Sequence, residues 1–220
     1  MVKSNFPRSS GICLMVNPVN RRTFVASGAA GALAALTSPA WGRANKSQNK
    51  YEICVFTKPF QTLSYDELAE QTAELGFDGI EAPIRDGGHI EPAAVPAELP
   101  KMMEALRKRN LKMTVMTSSI NDPADPLTET ILRTAAGLGI RHYRMKYFKY
   151  DESRPIPGQI TEWKKKLIDL AAMNREIGIT AVYQNHAGRN YFGASLWDLH
   201  RGLDGIDPTH VGVAYDIRHA

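Results

Sequence analysis

Cysteine is nearly absent: among 220 residues only Cys13 and Cys54 occur. Cys13 lies in a basic N-terminal stretch and Cys54 alone in an apolar run, so the domain that follows has no pair for an internal disulfide. Cys54 reads as a small core residue. Long hydrophobic runs are missing too. The longest, Phe24 to Leu36, has 13 residues, too few to span a bilayer. No Gly-x-Gly-x-x-Gly follows the first apolar run, where the turn reads Thr57-Lys58-Pro59-Phe60, so a Rossmann dinucleotide site has no support. A P-loop, His-Glu-x-x-His and Gly-x-Ser-x-Gly are equally absent.

Acidic residues are missing from positions 1–44, which hold five basic ones: Lys3, Arg8, Arg21, Arg22 and Arg43. The formal charge of +4 therefore belongs to this leader; in residues 45–220, 22 basic residues stand against 23 acidic ones. A working domain so close to neutral argues against a nucleic-acid partner. The paired Arg21-Arg22, the weakly apolar run after it and the small residues of Ser38-Pro39-Ala40 and Gly42-Arg43-Ala44 resemble a Tat-type export signal. That resemblance implies a leader over 1–44, a periplasmic or otherwise exported protein, and no membrane partner once the signal is cleaved.

What is present from Tyr51 onward is a recurring unit of strand-length apolar run, then helical pattern. Strands are expected at Tyr51–Phe56, Asp78–Glu81, Leu111–Met116, Ile140–Tyr147, Ile179–Tyr183 and Val211–Tyr215. Ser64 with Glu67 forms a capping box, followed by Leu68, Thr72 and Leu75 as an inner face. Leu99, Met102, Met103 and Leu106 mark a second helix, with Asn110 as its stop. Helices three to five follow on Leu127–Leu138, on Ile160–Leu170 with Gly178 as the stop, and on Leu196–Leu203.

Strict alternation implies a parallel sheet with helices outside it. An eight-unit barrel usually needs about 250 residues. Residues 45–220 supply 176 and six strands, so the expected fold is an incomplete TIM (β/α)8-type barrel lacking its last two units. A six-stranded doubly wound sheet is the alternative.

Such barrels carry their chemistry at the C-terminal ends of the strands. Those positions hold Lys58, Glu81, Thr117, Ser118, Arg144, Lys146, Gln184, Asn185, His186, Asp216 and His219. Each has a bland alternative: Arg144 and Lys146 as a solvated edge, His186 as a turn cap, Glu81 as a partner of Arg85. Six polar ends on apolar strands together point to one pocket.

Three stretches, Gly76-Phe-Asp-Gly-Ile-Glu81, Tyr183-Gln-Asn-His-Ala-Gly188 and Val211-Gly-Val-Ala-Tyr-Asp-Ile-Arg-His219, resemble the sugar phosphate isomerase/epimerase family of xylose-isomerase-like TIM barrels. The resemblance implies a divalent ion (Mn²⁺, Mg²⁺, Co²⁺ or Zn²⁺) at the barrel mouth. It implies Asp216 as the strand-six metal ligand and His219 as a substrate-binding histidine, with Gln184 standing where the strand-five acid is expected. In this reading Asp216 and Gln184 hold the metal, while His219, His186, Lys146 and Glu81 meet a small sugar or sugar phosphate. The reaction implied is isomerisation or epimerisation, a proton moved beside a carbonyl through an ene-diolate. No catalytic base is assigned, because a Gln amide cannot accept a proton at neutral pH.

That substitution keeps a second reading open, a sugar-binding relative without turnover. A third is the apurinic-site endonuclease branch of the fold, which shares Asp-x-x-His; the near-neutral domain and the export signal argue against it.

Overall fold

The structure is a computed structural model that describes residues 51–220; the leader and Cys13 lie outside the described residues. Six strands form one sheet: β1 (Cys54–Phe56), β2 (Gly79–Ile84), β3 (Lys112–Ser118), β4 (His142–Arg144), β5 (Thr180–Gln184) and β6 (Val211–Ala214). Five α-helices follow the strands: α1 (Tyr65–Glu74), α2 (Val95–Lys108), α3 (Thr128–Gly137), α4 (Ile156–Ile177) and α5 (Leu196–Leu203). The strands pair in sequence order, β1-β2-β3-β4-β5-β6, each pair parallel. A doubly wound sheet would reverse direction at an internal strand. The order here never reverses, which selects the partial barrel over that alternative.

Local rules place the helices. Ser64 accepts from the Glu67 backbone N–H at 3.3 Å, and the Glu67 carboxylate takes the Ser64 backbone N–H at 2.8 Å. This closes the box expected from sequence. Helix α2 runs to Lys108, and Asn110 follows at φ 57°, a left-handed conformation that asparagine tolerates better than most side chains. Helix α4 ends on Gly178 at φ 79°, whose N–H donates to the Asn174 carbonyl at 2.8 Å.

Two expectations need correction. Leu75, assigned to the inner face of the first helix, is 63% exposed, because α1 ends at Glu74 and Leu75 is only its cap. Strand β2 does not stop at Glu81 but continues through Pro83 to Ile84. Beyond Glu81 its register partners lie on β3 alone, an edge position where a proline's missing N–H does no harm.

The register decides which side chains share a face. Phe56 pairs Glu81, Glu81 pairs Val115, Thr117 pairs Arg144, Arg144 pairs Val182, and Gln184 pairs Ala214. Side chains alternate along a strand, so residues two apart share a face. Phe56, Glu81, Thr117, Arg144 and Gln184 therefore lie on one face of the sheet, with Asp216 two residues past Ala214. The opposite face carries Ile80, Ala82, Met116, Tyr143, Ala181 and Tyr183, all buried against the helices.

An aromatic cluster anchors the second half of the sheet. Phe148 stacks on Tyr183 at 6.1 Å and on Trp163 at 5.2 Å, and Phe192 meets Tyr183 edge-on at 5.2 Å. Each such pair contributes roughly 0.5–1.5 kcal/mol beyond its buried area. The Tyr183 hydroxyl is satisfied inside the cluster, accepting from the Phe148 N–H at 2.9 Å and donating to the Phe192 carbonyl at 3.2 Å. With Tyr183 pinned on the helix side, alternation turns Gln184 to the other face.

Candidate functional site

The polar strand ends join into one hydrogen-bonded chain. Arg144, at the end of β4, is buried, and its Nε lies 2.7 Å from Glu81 Oε1. Thr117 donates to the same Glu81 oxygen at 2.6 Å and accepts from Arg144 Nε and Nη2 at 3.2 and 3.1 Å. The guanidinium sits 5.0 Å from the centre of the Phe56 ring, within cation–π range. So Glu81 pairs with Arg144, not with Arg85. Arg144 is a desolvated ion-pair partner rather than part of a solvated edge.

From Arg144 the chain runs on to β5 and β6. Arg144 Nη1 and the Tyr147 hydroxyl both donate to Gln184 Oε1. Burial pushes the Tyr147 phenol up, which keeps it protonated and a donor. Gln184 Nε2 then donates to Asp216 Oδ2 at 2.6 Å. Asp216 Oδ1 accepts the Arg218 backbone N–H at 2.9 Å. Burial opposes ionisation of Asp216, but the Arg218 N–H, the Gln184 amide and the nearby His219 and Arg218 together hold its carboxyl below the usual carboxylate range.

Asn185 fixes where Asp216 stands. It is fully buried, donates from Nδ2 to the Asp216 carbonyl at 2.9 Å and accepts the Asp216 N–H on Oδ1 at 2.7 Å. One side chain thus extends the β5–β6 pairing past the last ladder residue.

His186 and His219 stack at 4.0 Å between ring centres, and Tyr191 stacks on His186 at 4.8 Å. Tyr147 meets His186 edge-on at 5.1 Å. His186 Nδ1 is buried and has no hydrogen-bond partner. His219 Nε2 stands 4.0 Å from Asp216 Oδ2, beyond a direct hydrogen bond.

The structure therefore gathers Glu81, Gln184, Asp216, His186 and His219 at one end of the sheet. It leaves Lys146 apart: strand β4 ends at Arg144, and Lys146 is exposed, its backbone N–H bonded to the Ile120 carbonyl at 2.9 Å. Lys58 is likewise exposed, in the short 3-10 turn Lys58–Phe60. Sequence reasoning missed Tyr147, Tyr191 and His89. His89 packs back from the β2–α2 connection, with Nε2 3.0 Å from Thr57 Oγ1, and burial holds its imidazole pKa down. Nothing in the local sequence marks His89, whose contact spans 32 positions.

The donor set is a poor match to the divalent ion that the resemblance implies. Two oxygens would have to face one point, yet Gln184 turns its NH2 toward Asp216 and its oxygen toward a guanidinium. Among the described residues no three His, Cys, Asp or Glu side chains converge as a metal site would need.

A family model described as xylose isomerase-like TIM barrel matches residues 69–220, and the chain belongs to that family. Solved structures agree on the fold. One is D-psicose 3-epimerase from Clostridium cellulolyticum H10, 12% identical with a TM-score of 0.60, covering 77% of this chain and 64% of that one. Another is the 3-keto-D-glucoside 4-epimerase YcjR from E. coli, 19% identical with a TM-score of 0.60, covering 77% and 70%. A third is the probable 3-DHS dehydratase AsbF from Bacillus anthracis, 13% identical with a TM-score of 0.61, covering 77% and 64%. The chain thus spans 64% of the length of the psicose epimerase it resembles. An epimerase and a probable dehydratase share this fold, so the fold alone does not choose the reaction. No curated protein matches.

Proposed function

We propose that this chain is a sugar isomerase/epimerase-like protein that binds a small sugar or sugar phosphate at the C-terminal ends of its strands. The observation that carries the reading is the convergence of Asp216, Gln184, His186 and His219 on that end, beside the Glu81–Arg144 pair. Structural likeness to sugar epimerases supports it.

A sugar presents hydroxyls that both donate and accept, and the site offers both roles. Asp216 accepts, the second N–H of the Gln184 amide donates, and the imidazoles do either according to tautomer. The stacked His186 and Tyr191 rings give an apolar face against which a sugar's C–H groups can pack.

Proton transfer beside a carbonyl needs a group that takes and returns a proton near neutral pH. Asp216, held below the carboxylate range, is a weak base. Glu81 is engaged by Arg144 and Thr117. His186, stacked on His219 and Tyr191 at the mouth, is assigned the role, because an imidazole can both accept and return a proton. No step is routed through a metal, since the donors do not form a site for one.

The test is proton exchange. D-psicose and D-fructose, free and phosphorylated, are incubated with the protein in D₂O and followed by NMR. Deuterium entering the carbon beside the carbonyl, and lost in His186→Ala, is the expected result. Sugar that binds without exchanging points instead to a binding protein without turnover. Absence of both removes the reading.

A further inference from the structure

Gln184 is held in one orientation, and Arg144 sets it. A guanidinium carries five N–H donors and no acceptor. Were the amide rotated by half a turn, its NH2 would press donor against donor on Arg144 Nη1, and its oxygen would face the Asp216 carboxylate. Only Oε1 can face Arg144, so only Nε2 can face Asp216, at 2.6 Å. Arg144 cannot swing aside, because Glu81, Thr117 and the Phe56 ring hold it on three sides.

We propose that Arg144 is a positioning residue that, through Gln184, turns an N–H toward Asp216 and so closes the β5 side of that carboxylate to divalent cations. A cation beside Asp216 would need a second oxygen from the neighbouring strand and meets an N–H instead. The amide N–H gives the half-buried Asp216 carboxylate a charge-assisted hydrogen bond without adding a second negative charge. The substitution Gln184→Glu would reverse this. The inner oxygen of the new carboxylate would still accept from Arg144 and Tyr147, but its outer oxygen would stand where Nε2 now is, against the Asp216 carboxylate. Two carboxylates that close are stable only with a shared proton or a bridging cation. This inference rests on the strand-end site proposed above but is read by metal uptake, not by sugar chemistry.

The experiment titrates Mn²⁺ into the full 220-residue chain and follows the free ion by electron paramagnetic resonance. The wild type is expected to leave the free Mn²⁺ signal undiminished. The Gln184→Glu variant is expected to remove about one equivalent and to bind roughly tenfold or more tightly than the wild type. Stoichiometric uptake by the wild type overturns the proposal. Failure of a folded Gln184→Glu variant to gain affinity overturns it as well, since Gln184 would then not be the barrier. Should that variant not fold, the wild-type side-chain amide resonance of Gln184 decides: unbroadened by Mn²⁺ it supports the proposal, broadened it refutes it. Ketohexose binding measured on the same wild-type sample is a separate readout. A chain that takes up neither sugar nor Mn²⁺ loses the functional reading and keeps this one.

Discussion

Arg144→Met is the perturbation that reaches furthest into the site. The pair it breaks is largely out of water, with 11% of the Arg144 side chain and 22% of the Glu81 side chain exposed. Removing one member of a buried pair costs about 3–5 kcal/mol, chiefly because the other charge is left behind. Glu81 keeps the Thr117 hydroxyl and some solvent, which favours the lower end, about 3 kcal/mol. For a domain of this size each kcal/mol moves the melting temperature by about 2–4 °C, so a drop of about 6–12 °C is expected. Thermal unfolding followed by tryptophan fluorescence, to which Trp163 packed on Phe148 contributes, reads the change. The double variant Glu81→Leu/Arg144→Met should recover most of the loss, because apolar groups of similar volume can replace a buried pair at little cost. A loss under about 1 kcal/mol for Arg144→Met would refute the reasoning, since exposed pairs behave that way. A double variant no more stable than the single one would refute it too.

Other outcomes test neighbouring parts. Burial holds His89 below its ordinary pKa, so protonation favours the unfolded chain. Stability should be full above pH about 6.5 and fall below it, and His89→Gln should flatten that slope in urea midpoints. Gly79→Ala sets a Cβ 2.5 Å from the Lys112 carbonyl oxygen and 2.7 Å from Thr114 Oγ1, so β2 and β3 must part. A loss of about 1–3 kcal/mol by thermal melting is expected. Asn185→Ala strips both bonds from the Asp216 backbone. It should cost about 1–3 kcal/mol and weaken sugar affinity by calorimetry, whereas an unchanged affinity would detach Asp216 from the site.

The parts legible in sequence were those governed by short-range rules. The Ser64–Glu67 box, the Asn110 stop and the Gly178 cap each depend on a few neighbouring residues, and each stands where the pattern put it. The polar strand ends were legible for the same reason: alternation along β5 sends Tyr183 to the core and Gln184 to the mouth. Partners across the sheet were not legible. Glu81 and Arg85 are close in sequence, but Glu81 pairs with Arg144 because the β2–β3 and β3–β4 registers, including a shift at Ile80/Glu81, bring those two side chains together. Lys146 looked equivalent to Arg144 by period two. The chain leaves the sheet after Arg144, and the period no longer holds. The orientation of Gln184 was beyond sequence altogether, being set by a guanidinium 40 positions away.

The central claim is that the C-terminal strand ends are where this chain meets its ligand. An assigned ¹⁵N–¹H spectrum titrated with D-psicose tests it most directly. Shifts are expected at Tyr147, Gln184 to Gly188, and Asp216 to His219, with the opposite end of the sheet, around Lys112 and His142, unmoved. Shifts confined to that opposite end, or no shifts with any ketohexose, would contradict it.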